Sequence, residues 1–448
     1  MSISQESAVK FLPESRDKYK GMSVRQVSLR ENFSWTLLGN MIYAASQFGW
    51  IVLISRLGTP AALGEFSLGF AITAPIFIFL NLKLRSVQAT DARGEFRFGH
   101  YLGVRIISSI MGLLAVLVVI YLTGHGKDVS IIVAVGCAKF IETMSDIYYG
   151  YLQQHEQMRE IAISMIIKGM LSLMALGFIF ATTRSVFWGI VGLGLAWLIV
   201  LLIYDIPKCS ALRKRTLERE NEAVTLRPLW EWGRLRNLIV MTLPLGVVTT
   251  LGSLNVNIPR YAVEQYLGAK YLGIFAALAA PLAAGGIILT ALGHAATPRL
   301  AILYAEQKRH KFLRLLGQMI GIASLVGMIG VFLVVAFGQK ILRILYGPEY
   351  AGHTLIFFCL TFNVAILFVY TFLGNAIHAM RQFKVQLPIH IVSALTILLL
   401  SKVLVPRFAL MGGALACLGG SVIEFVAYTA CMLALYRRWV KTLEVKVH

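Results

Sequence analysis

Unbroken apolar runs of spanning length constrain this chain more than any other feature. Twelve lie near 33–55, 61–82, 101–123, 129–152, 160–182, 187–207, 238–258, 271–296, 315–337, 351–375, 385–405 and 411–435. At 1.5 Å rise per residue, about twenty helical residues cross a bilayer core about 30 Å thick. In lipid the backbone must satisfy its own hydrogen bonds, so a spanning segment is a helix or part of a closed barrel. Barrel strands would alternate apolar and polar residues over about ten positions, and these runs do not alternate. Only 14% of the 448 residues are charged and 57% are hydrophobic, with a mean hydropathy of +0.72. Soluble domains carry about 25% charged residues. The expected fold is an all-α polytopic membrane protein of about 12 transmembrane helices.

The formal net charge of +20 would point to nucleic acid in a soluble protein. Here basic loops on one side of a membrane account for it, and no nucleic-acid partner is expected. With the N-terminus cytoplasmic, the inner segments hold 30 Lys and Arg, and the outer loops with the adjoining span ends hold 9. Both termini are therefore expected in the cytoplasm. The first thirty residues are polar and the first apolar run is a full span, so no cleavable signal peptide is expected. The expected organisation is an N-terminal cytoplasmic segment (1–31), an N-lobe of spans 1–6 (32–207), a basic cytoplasmic linker (208–237), a C-lobe of spans 7–12 (238–435) and a cytoplasmic tail (436–448). The linker would lie as a hinge on an anionic leaflet.

The halves repeat one another at their first hairpins. Ile54-Ser55-Arg56 leads to Leu63-Gly64-Glu65-Phe66, and Ile258-Pro259-Arg260 leads to Leu272-Gly273-Ile274-Phe275. Six spans separate the copies, so they share one orientation. Parallel repeats of this kind place a substrate path between two pseudo-symmetric six-helix lobes that rock against each other. Two ordinary glycine turns would give the same letters.

Ionisable groups at membrane depth are costly and mark function by default. Span 4 is richest. Lys139, Glu142, Asp146, Tyr149 and Gln153 step by 3, 4, 3 and 4, which puts them on one helical stripe that cannot face lipid. Lys139 can pair with Glu142. Glu142 and Asp146 are like charges one turn apart and are candidates for a coupling ion; a structural ion pair between helices is the alternative. Lys168 in span 5 can snorkel or point at a cavity, and Arg105 can snorkel. Arg56 and Arg260 end the first helix of each half and could form an outer cationic ring or anchor at headgroups. Thr249, Ser253, Asn257 and Arg260 form a second stripe, on span 7. Glu65 and Glu424 stand alone in the sequence, as do His294, His378 and His390.

Five scattered cysteines show no metal or disulfide spacing, and no metal or cofactor is expected. There is no Walker A, GxSxG or HExxH motif, and the outer loops are short. The chain reads as a transporter rather than an enzyme.

The residues resemble those of the Wzx-type polysaccharide flippases of the multidrug/oligosaccharidyl-lipid/polysaccharide exporter superfamily. The likeness is carried by Arg56-Leu57-Gly58 with Leu63-Gly64-Glu65-Phe66, by the loop Arg85 to Arg93 with Phe98-Gly99-His100-Tyr101-Leu102, and by Asp146 with Gly150, Gln153 and Met158. Its strongest piece is Phe337-Gly338-Gln339-Lys340-Ile341-Leu342 leading to Tyr346-Gly347-Pro348-Glu349-Tyr350. The resemblance implies a MATE-like bundle of six plus six helices in a bacterial inner membrane. It implies alternating access by a cargo of undecaprenyl-pyrophosphate-linked oligosaccharide, with membrane lipids as surroundings and a polysaccharide polymerase and chain-length machinery as partners. Cations would hold the pyrophosphate: Lys139, Lys168, Arg56 and Arg260. Tyr149, Gln153, Asn255 and Asn257 would meet the glycan. A multidrug or cation antiporter of the same superfamily, using Glu142 and Asp146, is the main alternative. A membrane polymerase lacks the outer domain it would need.

Overall fold

The computed structural model describes residues 29–91, 94–124, 128–220, 226–382 and 385–447. The N-terminal segment 1–28 and part of the Arg85–Arg93 loop motif lie outside them. All regular structure among the described residues is helical. The N-lobe comprises α1 (Leu29–Leu57), α2 (Pro60–Leu80), the short α3 (Leu84–Thr90), α4 (Phe98–Thr123), α5 (Val129–Gln154), α6 (Met158–Thr183) and α7 (Val186–Val200). A π turn at Leu201–Asp205 carries α7 into α8 (Ile206–Glu220). The C-lobe comprises α9 (Trp232–Leu267), α10 (Ala269–Ala279), α11 (Ala283–Ala305), α12 (Arg309–Leu345), α13 (Pro348–Ala351), α14 (Thr354–Ala379) and α15 (Gln386–Val447).

Among the described residues, ten helical segments are long and apolar enough to cross a membrane. The twelve expected runs map onto them with two differences. Helix α5 has the length but carries Lys139, Glu142 and Asp146, and is not among the ten. Conversely, one apolar segment of 54 residues, Gln386–Trp439, holds two expected runs. Its straight length would be about 80 Å, far beyond a bilayer core. The chain turns back at Ala409, whose φ of 50° and ψ of −132° are not helical. Large apolar side chains such as Leu114, Phe178, Ile203, Phe332 and Leu399 are exposed on the flanks, as expected where lipid is the solvent. The protein is a multi-pass membrane protein.

The apolar core divides by depth. Taking the end with the basic loops as inner, the outer half has one core shared by both lobes, with Trp50, Ile54, Phe66 and Trp197 joined to Val263, Phe275, Tyr346 and Phe357. The inner half has two. One lies within the N-lobe (Tyr101, Ile147, Leu152) and takes in Leu235 and Leu238 from the start of α9. The other lies within the C-lobe (Leu300, Phe312, Phe372, Trp439). The lobes share one apolar core outside and keep separate cores inside, apart from the start of α9. Helix α9 leans from one to the other.

The repeated hairpins meet at the outer seam. A Cβ on Gly64 would lie 1.8 Å from the Ala269 carbonyl oxygen, and one on Gly273 would lie 1.8 Å from that of Pro60. Each repeat glycine thus receives the start of the other repeat's helix, a reciprocity that two unrelated turns would not show. Thr59 caps α2 by accepting from the Ala62 amide at 3.2 Å, and Pro60 opens the helix. The linker is fixed where it is described. The Leu229 amide donates to the Gly99 carbonyl at 2.9 Å, Arg234 donates to the Glu95 carbonyl at 3.0 Å, and Glu231 meets His100 at 3.4 Å.

Candidate functional site

The stripe on α5 faces inward and organises a polar network across the N-lobe. The Lys139 ammonium donates to Glu142 Oε2 at 2.7 Å, and the Tyr43 hydroxyl of α1 donates to Glu142 Oε1 at 2.8 Å. The same ammonium lies 5.3 Å from the Phe70 ring centroid and 5.9 Å from that of Trp197, which favours a desolvated cation. One turn further, Asp146 meets Arg85 at 3.2 Å and Arg105 at 3.5 Å. Arg105 also donates to Asn81. Arg85 donates to Gln153 Oε1 at 3.0 Å, and its guanidinium lies 5.4 Å from the Tyr149 ring centroid.

The network continues onto α6. Lys168 lies 4.9 Å from the Tyr149 ring centroid and 3.6 Å from Asp205 Oδ2. Tyr149 and Ser164 share a hydrogen bond of 2.7 Å, and Ser164 donates to Asp205. Asp205 sits at the end of the π turn, where the added residue per turn rotates it toward α6. Lys168 and Asp205 are only 2% and 0% exposed, whereas Lys139, Glu142, Arg85 and Asp146 keep 19% to 30% of their side chains accessible. The network therefore has a closed end, where Lys168 is held by its carboxylate, and an open end. Four cations (Arg85, Arg105, Lys139, Lys168) share three carboxylates (Glu142, Asp146, Asp205). One positive charge is left over.

The remaining expected residues lie elsewhere. Arg56 lies at the outer seam. It donates to the carbonyls of Arg343 at 3.1 Å and Leu345 at 3.0 Å, and to that of Ile344, at the C-terminus of α12. A cation there meets the negative end of the helix dipole. Phe48 packs edge-on against Tyr346, with ring centroids 6.5 Å apart, at the same seam. The two resemblance motifs around Arg56 and Tyr346 are thus two sides of one outer closure. Arg260 donates to Asn257 Oδ1 at 3.2 Å and has no ion pair with a carboxylate among the described residues. Asn257 also donates to the Ser253 carbonyl at 2.9 Å. Asn255 turns into the C-lobe and donates to Glu424 Oε1 at 2.8 Å. Arg85 carried no site role in the sequence, only a motif position, and Asp205 carried none at all. Nothing in the spacing around Asp205 signals the π turn that brings it to Lys168.

A two-lobed helical bundle with separate inner cores and a charged network inside one lobe is a fold that known membrane transporters share. Comparison with solved structures agrees. An inward-facing multidrug resistance MATE transporter of the MOP superfamily superposes with a TM-score of 0.73 at 14% identity, covering 91% of this chain and 99% of that one. The lipid II flippase MurJ, in an inward closed conformation, gives 0.69 at 11% identity, covering 92% and 91%. An outward-facing MATE transporter gives 0.60 at 14% identity, covering 92% and 95%. Residues 29–303 match the polysaccharide biosynthesis protein family, and the chain belongs to that family. The capsular polysaccharide biosynthesis protein CapF of Staphylococcus aureus is 29% identical over 398 residues, 89% of this chain and 98% of that protein.

Proposed function

We propose that this protein exports an isoprenoid diphosphate-linked oligosaccharide, a repeat unit of capsule, O-antigen or exopolysaccharide, across the bacterial inner membrane by alternating access. Both termini would face the cytoplasm, and the part closed in this structure would face outward. The observation that carries the reading is the excess of cation over carboxylate in the N-lobe network. A diphosphate arriving from the inner side meets Lys139 and Arg85 at the open end. It is the chemistry that arginine and lysine recognise best in a partly dry site.

Arg260, without a carboxylate, is a second anchor from the opposite lobe. Tyr149, Gln153, Asn255 and Asn257 offer hydroxyl, amide and ring surfaces for sugar. Lys168 supports the site through Tyr149 and Asp205, and Arg56 holds the outer closure through which cargo leaves. CapF, named for capsular polysaccharide biosynthesis, favours a glycan cargo over a drug. A cationic drug needs a free carboxylate at the open end, and there Glu142 and Asp146 are each paired with a cation. Export and not chemistry is then the whole task of the chain, with polymerase acting after it.

Reconstitution into vesicles with a fluorescent undecaprenyl diphosphate oligosaccharide tests this. Protein-dependent appearance of the glycan in the opposite leaflet is expected, with at least a tenfold loss in Lys139→Gln. Transport of a cationic dye with no movement of the glycan would overturn it.

A further inference from the structure

The inner end of the C-lobe carries a basic cleft that the exporter reading leaves unused. The turn from α11 to α12 and the end of α15 enclose about 400 Å³, lined by Gln307, Lys308, Arg309, His310, Lys311 and Tyr436. The surrounding chain holds this cleft in shape. Gln307 takes a φ of 58°, and the turn closes with the Lys308 amide donating to the Leu303 carbonyl at 3.0 Å. The Trp439 indole, buried at the end of α15, donates to Gln307 Oε1. It packs on Tyr304 and Phe312, with ring centroids 4.8 Å and 5.4 Å away. The turn is thereby fastened to α15, and the basic residues that follow Gln307 have a fixed place.

Charge in the cleft is not balanced. Lys308 meets Glu306 at 2.8 Å, while Arg309 and Lys311 pair with no carboxylate among the described residues. Helix α12 opens on these cations with no acidic residue in its first turn and no side chain capping it. The positive end of a helix dipole disfavours cations, so the cluster costs stability unless an anion answers it. What flanks the cleft selects the anion. Tyr304, Tyr436 and Trp439 pack together, an aromatic group of the kind that sits at a membrane–water interface. One turn toward the membrane centre, Leu313 on α12 and Leu433 on α15 are 38% and 54% exposed. Leu313 follows Arg309 by four residues and Leu433 precedes Tyr436 by three, so each shares a helix face with a cleft residue. A soluble anion would use the basic part alone. An amphiphile with an anionic head and hydrocarbon tails matches both parts.

We propose that this cleft binds the headgroup of an anionic phospholipid of the inner leaflet. Arg309 and Lys311 hold the phosphate by charge-assisted hydrogen bonds, Tyr436 borders the headgroup, and the acyl chains lie along Leu313 and Leu433. Basic pockets between spanning helices on the cytoplasmic side suit this chemistry. The site lies in the lobe opposite the Lys139 network and does not depend on which cargo the protein carries. A bound headgroup joins α12 to α15 across the turn from α11, so the lipid acts as a fastener for the inner end of the C-lobe.

The test uses the full chain in phosphatidylcholine vesicles holding a trace of phospholipid with a photoactivatable diazirine on its tail. Adducts formed on illumination are located by peptide mass spectrometry. Diazirine phosphatidylglycerol is expected to mark the segments around Leu313 and Leu433 about 30-fold more than diazirine phosphatidylcholine, since each unpaired cation beside an anionic lipid is worth about fivefold. Arg309→Gln with Lys311→Gln should bring the two lipids level there. Arg309→Lys with Lys311→Arg should keep the preference, and so should Lys214→Gln, which removes an exposed cation of α8. Thermal melting reports folding; should the double variant fail to fold, either single variant decides by a loss of about fivefold. Equal marking by the two lipids in the wild type overturns the proposal, as does a preference that survives the folded double variant. The same preference at Ile110 and Leu114, exposed on α4 of the N-lobe, also overturns it, because any part of the protein would then serve. Displacement of phosphatidylglycerol by inorganic phosphate, beyond the effect of sodium chloride at equal ionic strength, gives the cleft to a soluble anion and overturns it too.

Discussion

Gly64 and Gly273 offer the sharpest perturbation of the outer closure. A methyl group at position 64 would be 1.8 Å from the Ala269 oxygen, where ordinary contact begins near 3.4 Å. The neighbour is backbone, so no rotamer change relieves the clash. The starts of α2 and α10 must separate by about 1.6 Å, against a shared apolar core that resists it. Overpacking of this kind costs about 1–3 kcal/mol, and the backbone obstacle puts Gly64→Ala near the upper end. If the seam opens in the transport cycle, that penalty falls on the closed state alone. The ratio of closed to open should then drop by about 5- to 150-fold. Spin labels at the exposed outer positions Ala181 and Glu349 would report it. Gly273→Ala should act the same way by pseudo-symmetry, and Gly317→Ala, with nothing within 4 Å of its Cβ, should leave the distribution unchanged. An outer distance distribution unmoved in both Gly64→Ala and Gly273→Ala, with the proteins folded, would refute the view that these glycines define the closed seam.

Other substitutions probe other parts. Lys168→Ala should lower stability by about 3–5 kcal/mol, because it strands the buried Asp205; Lys168→Ala with Asp205→Ala should recover much of that loss in detergent melting curves. Arg56→Ala removes charged hydrogen bonds to the carbonyls closing α12 and should cost about 1.5–3 kcal/mol of the outer closure. It would be read as faster thiol labelling of a cysteine placed at Tyr346, and Arg56→Lys should restore only part, lacking the fork. Ala409→Gly relieves a backbone conformation that favours glycine and should raise the melting temperature, whereas Ala409→Val should lower it.

Much of the architecture could be read from the letters, because lipid imposes its rules locally. Each run had to be a helix, and the 3, 4, 3, 4 spacing from Lys139 to Gln153 already put five polar groups on one inward face. The repeat letters around Gly64 and Gly273 were also visible. That each glycine would receive the other repeat's backbone was not, since it depends on how two lobes dock. The partners of the buried ions were hidden for the same reason. Asp205 reaches Lys168 only because a π turn rotates it, and Glu424, His390 and Asn255 converge from positions 34 to 169 residues apart. Helical spacing identifies faces. It does not identify which faces meet. Arg56 illustrates the limit, since an outer cation was legible and the helix end from the other lobe that it caps was not.

The unequal division of the core has a consequence for the resting carrier. Apolar surface is already merged at one end and still separate at the other. Separating the merged end exposes that surface or replaces it with lipid, while the other end has no such bond to break. An empty protein should therefore wait with its mouth toward the compartment where cargo is made. The work of turning it would have to come from what it carries, and the return would be downhill.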